Sequence, residues 1–173
     1  MKDKLLNQKG VTLVELVIAI GIAAFIVVAA ATVLFQLDTV SARNSNYMTA
    51  YTEAQNAGFS VSRDTTMAQT VTVDDPATFV TLNWSDWEGD THEIVYTLQD
   101  ASAGLKELWR TYSFEIDGVA QPEETMRVAR YIDPNETSRN WDESEKVLTL
   151  VVTAQVGDQT ATRTYNVEPR PLS

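Results

Sequence analysis

The feature that most constrains this chain is an uncharged apolar run at residues 16–37, headed by a single carboxylate, Glu15. From residue 16 to residue 35 the run is almost wholly Leu, Val, Ile, Ala and Phe, broken only by Gly21 and Thr32. A helix needs about 20 such residues to cross the hydrocarbon core of a bilayer. No soluble domain of this size hides a helix that is apolar on every side, so the run predicts a membrane-spanning stem. Residues 38–173 are then enough for one further domain with a single core, and not for two.

The residues before the run are as informative. A short basic leader, Lys2, Lys4 and Lys9 against Asp3, ends in Gly10 and is followed by Val11-Thr12-Leu13-Val14-Glu15. A carboxylate at the head of an apolar span is costly unless it lies at the interface or meets a cation. Cutting the chain after Gly10 would supply that cation as the new α-amino group of Val11. Residues four apart are neighbours along a helix, so Glu15 could serve its own amine or that of an axially shifted neighbour. The basic leader predicts a cytoplasmic N-terminus and an outward-facing remainder.

Lys9-Gly10, Val11-Thr12-Leu13-Val14-Glu15 and the apolar run together resemble the signal of type IV pilins and of the pseudopilins of type II secretion. The resemblance covers residues 1 to about 37. It implies cleavage after Gly10 by prepilin peptidase, N-methylation of Val11 and an assembly role for Glu15. It also implies other pilin or pseudopilin subunits, the inner-membrane assembly platform and membrane lipid as partners. The implied domains are a leader at residues 1–10, a transmembrane and filament-core helix at 11–37, and an extracytoplasmic head at 38–173.

Three departures from the family pattern point towards a minor pilin or a J-type-like minor pseudopilin. Val11 replaces the usual phenylalanine, Thr32 stands where many pilins have proline, and there is no cysteine to close a disulfide. Ser62-Arg63-Asp64, followed by Ala68 and Val71, also resembles the helix end of J-type minor pseudopilins. The localisation implied is the cytoplasmic membrane with the head outside, then an extracellular filament. Two simpler readings compete. A secretory signal could be cut near Ala29-Ala30-Ala31, but its apolar core would be shorter. A plain anchor explains the length but not Gly10 and Glu15 at this spacing. As a further alternative, the helix only tethers an extracellular binding protein or adhesin.

The rest of the chain reads as α+β, a long helix packed on an antiparallel sheet in the pilin-like manner. No proline occurs before Pro76. Val40, Tyr47, Tyr51, Ala54, Gly58, Val61, Thr65 and Ala68 recur at helical steps and predict the stripe that faces a core. Gly58 weakens a helix by about 1 kcal/mol relative to alanine, which suggests close packing of another element there. Strands are predicted near 70–73, 78–84, 92–98, 107–115, 127–132, 146–154 and 160–167, from runs of β-branched and aromatic residues. Turns are expected at Glu88-Gly89-Asp90, Asp117-Gly118 and Gly157-Asp158. Residues 147–152 predict a central strand under the helix. Residues 121–124 and 133–145 read as exposed loops suited to recognition.

Beyond Glu15 the chain carries 10 basic against 22 acidic residues, the opposite of a nucleic-acid footprint, so no nucleic-acid partner is expected. No catalytic group is expected either. His92 is the lone histidine and reads as packed or exposed, and no serine lies in a nucleophile elbow. No cofactor or metal is assigned. Hard oxygen ligands do cluster at residues 86–90 and 133–136, yet neither stretch matches an EF-hand. Trp84 could face outward from a strand as a carbohydrate or protein contact, while Trp87 and Trp141 are expected on loops.

Overall fold

The computed structural model describes residues 10–171. The leader, apart from Gly10, lies outside the described residues. A single long helix, α1 (Leu13–Thr65), is followed by nine strands. These are β1 (Thr70–Thr72), β2 (Val80–Ser85), β3 (Thr91–Asp100), β4 (Lys106–Ile116), β5 (Val119–Ala120), β6 (Glu124–Ile132), β7 (Ser138–Asp142), β8 (Val147–Val156) and β9 (Gln159–Val167). The chain forms two compact units, one ending at Ala42 and the other beginning at Arg43.

In the first unit none of the described residues covers the helix. Phe25 and Phe35 are 76% and 74% exposed, and the surrounding Leu, Val and Ile side chains are open on every side. Among the described residues α1 is the one helix long and apolar enough to cross a membrane. Thr32 does not interrupt it, because its hydroxyl donates to the Val28 carbonyl at 2.9 Å. A polar group inside an apolar span is thereby satisfied within its own helix.

In the second unit the remaining turns of α1 bury Ala50, Ala54, Ala57, Gly58, Val61, Asp64 and Thr65. The buried face keeps Ala54, Gly58, Val61, Thr65 and Ala68 of the expected stripe, with Tyr51 at its margin, and departs from it at the two N-terminal positions. Tyr47 is exposed, as is Val40 in the first unit, whereas Ala50, Ala57 and Asp64 point inward. Alanines at this face let the backbone approach the sheet closely, and the bulk of the core comes from the strands. Leu82, Ile94, Leu108, Ile132, Leu148 and Leu150 supply it.

The sheet is antiparallel, in the order β1-β2-β3-β4-β6-β8-β7, with β5 added to β4 and β9 to β8. The expected strands all form. Strand β8 is central, flanked by β9 on one side and on the other by β7 and the end of β6. Its Leu148, Leu150 and Val152 are buried, and Val147 and Val151 are half-buried. Asp117 and Gly118, at φ 51° and 76°, make the two-residue turn that the right-handed twist of a hairpin favours.

Two expected loops need correction. Glu124 opens β6, and residues 133–145 contain β7. The latter was hidden because β7 alternates two polar outward residues, Ser138 and Asn140, with Arg139 and Trp141, so no apolar period marks it. Arg139 is held by backbone, donating to the carbonyls of Val73, Asp75 and Thr78 at 3.3, 3.3 and 2.9 Å. Trp141 packs at the margin of the core.

Gly58 has the close neighbour its sequence position suggests. A Cβ placed there would lie 1.9 Å from the Tyr165 ring of β9. Gly58→Ala gains about 1 kcal/mol of helix propensity but must displace that ring, and overpacking costs about 1–3 kcal/mol. We expect Gly58→Ala to lower the unfolding midpoint and Gly58→Val to lower it further, with Tyr165→Ala restoring part of the loss in the double variant. Unfolding midpoints that rise for Gly58→Ala would show that the ring moves aside freely.

Candidate functional site

At the N-terminal end, Gly10 and Val11 are exposed ahead of the first helical residue, Leu13. Thr12 is the residue that starts α1. Glu15 Oε2 accepts from the Thr12 N–H and from its hydroxyl, both at 2.9 Å, while the Glu15 N–H donates to Thr12 Oγ1 at 3.2 Å. This reciprocal pair is a capping box, in which a threonine and a glutamate three residues on satisfy each other's free donors at a helix start. The carboxylate also lies at the positive end of the helix dipole. Sequence reasoning weighed Glu15 only against an amine and passed over this partner, although Thr12-x-x-Glu15 spells the capping pattern. Among the described residues the bonds to this carboxylate go to Oε2 alone.

The prokaryotic N-terminal methylation motif matches residues 5–31. This chain carries the pilin-type methylation signal. The matched stretch contains Gly10, Val11 and Glu15 and most of the apolar run. It supports the type IV pilin and pseudopilin family, and the helix-on-antiparallel-sheet head is pilin-like in architecture. No curated protein and no solved structure matches the chain.

In the head, Asp64 closes a polar lock with Arg63, Tyr96 and Arg110, while the neighbouring Ser62 hydroxyl is buried without a partner among the described residues. Asp64 is fully buried at the last turn of α1. Its Oδ2 accepts from the Tyr96 hydroxyl of β3 and from Arg110 Nε of β4, each at 2.6 Å. Its Oδ1 accepts from Arg63 Nε and Nη2 at 3.2 and 3.1 Å. Burial, reinforced by the Asp64 charge, pushes the Tyr96 phenol well above the ordinary tyrosine range. Burial works against the Arg110 cation, but the Asp64 carboxylate outweighs it and raises Arg110 above its usual value. A carboxylate with no accessible surface and four donors has no room for substrate. Its role here is to fix the helix end to two strands.

The other singled-out residues lie at the far end of β2, β3 and β4. Trp84 is not a free contact. It stacks on His92 with ring centroids 5.0 Å apart, and His92 in turn stacks on Phe114 at 6.0 Å. His92 Nδ1 lies 2.9 Å from the Tyr112 hydroxyl, and Nε2 lies 3.5 Å from Asp86 Oδ2. The lone histidine is thus packed within a cross-strand aromatic row. Asp86 organises the next turn by accepting from the Glu88 and Asp90 N–H groups at 2.9 and 3.0 Å. Burial pushes its carboxyl up, and those N–H groups together with His92 bring it below the ordinary aspartate value. Carboxylate oxygens of Asp86, Glu88 and Asp90 come within 4.8 Å of one another, a spacing that could admit a hard cation. Asp133 and Asp75 likewise spend an oxygen on turn N–H groups, those of Asn135 and Ala77. Trp87 stands 92% exposed beside this turn.

Proposed function

We propose that this protein is a structural subunit, of the minor kind, of a type IV pilus or a type II secretion-like pseudopilus. The observation that carries the reading is the methylation motif over Gly10, Val11 and Glu15, joined to an apolar helix that none of the described residues of its own unit covers. Such a surface needs lipid or other helices like itself. The membrane provides the first while the subunit is stored, and a bundle of neighbouring stems provides the second in a filament. Prepilin peptidase would cut after Gly10 and the new amine of Val11 would be methylated. The leader's lysines favour a cytoplasmic start, which leaves the head outside.

Glu15 joins two roles in this scheme. Oε2 holds the start of the helix through Thr12, and Oε1, which bonds to none of the described residues, would meet the amine of an entering neighbour. The acidic head keeps the filament's outside solvated. Nothing in this scheme asks the chain for chemistry of its own; the peptidase and the assembly platform act on it.

The intact mass and N-terminal sequence of the protein taken from its native membrane test the processing step. We expect a chain that begins at methylated Val11, and a full-length membrane product from Gly10→Val. A native chain beginning at Met1 would make the helix a plain tether for a binding protein or adhesin. One beginning at Thr32 would make the run an ordinary export signal.

A further inference from the structure

The charge of the head is concentrated at one end. Residues 85–93 and 113–126 hold eight acidic residues, Asp86, Glu88, Asp90, Glu93, Glu115, Asp117, Glu123 and Glu124, and no lysine or arginine. They form the β2–β3 turn, the β4–β5 turn and the adjoining strand ends. The two turns are tied together by the Asp117 N–H, which donates to Asp90 Oδ1 at 3.1 Å. This end lies beyond the end of α1. Tyr96 meets Asp64 in the last helical turn, and β3 starts five residues earlier at Thr91, about 17 Å further along at the usual rise of a strand. Arg43, where the head begins, meets Asp158 in the β8–β9 turn at the opposite end.

Apolar groups are exposed at the same acidic end. Trp87 is 92% accessible, Val119 62% and Ile116 43%. An indole so exposed gives up favourable burial, and tryptophan is the side chain that most often anchors an interface. A cleft of about 380 Å³ opens at the same end of the strands, with Glu93, Glu115 and Glu123 in its lining. We propose that this end of the head docks a different protein whose contact surface presents lysine and arginine side chains, with Trp87 as the apolar anchor.

Charge complementarity selects that class of occupant. A field of carboxylates without an internal cation steers and orients a basic surface, and the indole face favours a guanidinium or ammonium group. A second copy of the chain is the poorer fit, because most cations among its described residues are already engaged. Arg43, Arg63, Lys106, Arg110, Arg127, Arg130 and Lys146 pair with carboxylates. Arg139 holds backbone carbonyls, and Arg163 lies over the Tyr51 ring. Among the described residues that leaves Arg170, one exposed cation against eight acids. The inference concerns the head alone and holds whether or not the stem enters a filament.

The test uses the full-length protein in its native membrane, with the photo-cross-linking residue p-benzoylphenylalanine in place of Trp87. Illumination should give an adduct with another protein, and the cross-linked peptide should lie in a lysine- and arginine-rich surface. Combining Glu88→Lys, Glu115→Lys and Glu123→Lys should reduce the adduct by about tenfold or more, as expected when opposite charges become like charges. Glu143→Lys, in the β7–β8 turn, should leave it within about twofold, since a single rim charge elsewhere contributes little. All four are exposed, so the fold should persist, as protease resistance of the head would show. No adduct, an adduct with a second copy, one on a neutral or acidic surface, or one unaffected by the triple reversal would overturn the proposal.

Discussion

Replacing Asp64 by alanine should destabilise the head by about 3–5 kcal/mol, the usual cost of removing one member of a buried ion pair. For a domain of this size that is a fall in unfolding temperature on the order of 10–20 °C. The loss follows from what remains. The Arg110 side chain is only 14% exposed and would keep its charge without the carboxylate, and the Tyr96 hydroxyl would lose its acceptor inside the core. Asp64→Asn keeps the shape and one acceptor oxygen but not the charge, so it should fall between alanine and the native chain. Replacing all the partners together, Asp64→Leu with Tyr96→Phe and Arg110→Met, should recover much of the loss, because apolar groups of similar volume often replace a buried pair at little cost. Thermal unfolding of the full chain in uncharged detergent checks the series. A fall below about 3 °C for Asp64→Ala, under 1 kcal/mol on the same scale, would show that the lock contributes little.

Filament entry should be lost when Glu15 is replaced, and the choice of replacement separates its two roles. Glutamine can take the glutamate's place in a capping box, so Glu15→Gln retains the bond to Thr12 and loses only the charge. Alanine loses both. Thr12→Ala removes the cap, worth about 0.5–2 kcal/mol, and leaves the charge. If Glu15 Oε1 meets a neighbour's amine, Glu15→Ala and Glu15→Gln should each reduce the protein recovered in sheared filaments by about tenfold or more, equivalent to at least 1.4 kcal/mol. Thr12→Ala should assemble within about threefold of the native chain, less than that threshold. Cleavage after Gly10 should be largely intact in all three. Normal assembly of Glu15→Gln with failure of Thr12→Ala would assign Glu15 to the helix start and end the pairing argument.

The stem was readable in the chain because its physics is local. An uncharged run either lies in lipid or against its own kind, and neither depends on what the head does. Gly10, Val11 and Glu15 were legible for the same reason, being defined by spacing along one segment. The capping pair is equally local, since Thr12 and Glu15 stand three residues apart at the start of the helix. The major strands announced themselves through β-branched runs and glycine turns. Strand β7 did not, since its inward residues are Arg139 and Trp141, and an arginine satisfied by three carbonyls looks from its neighbours like a loop residue.

The sequence by itself determined a chain with a membrane-length stem, an N-terminal methylation motif and an acidic antiparallel head, because composition and period act over neighbouring residues. Tertiary structure alone decided that Ala50, Ala57 and Asp64 join the buried face in place of Val40 and Tyr47, and that the element close to Gly58 is β9 with its Tyr165 ring. It alone brought Asp64, Tyr96 and Arg110 together across 32 and 46 residues of chain. It also gathered eight carboxylates and Trp87 from two separate hairpins to one end of the head. Contacts between distant segments are set by strand register and sheet order, and no local pattern encodes those.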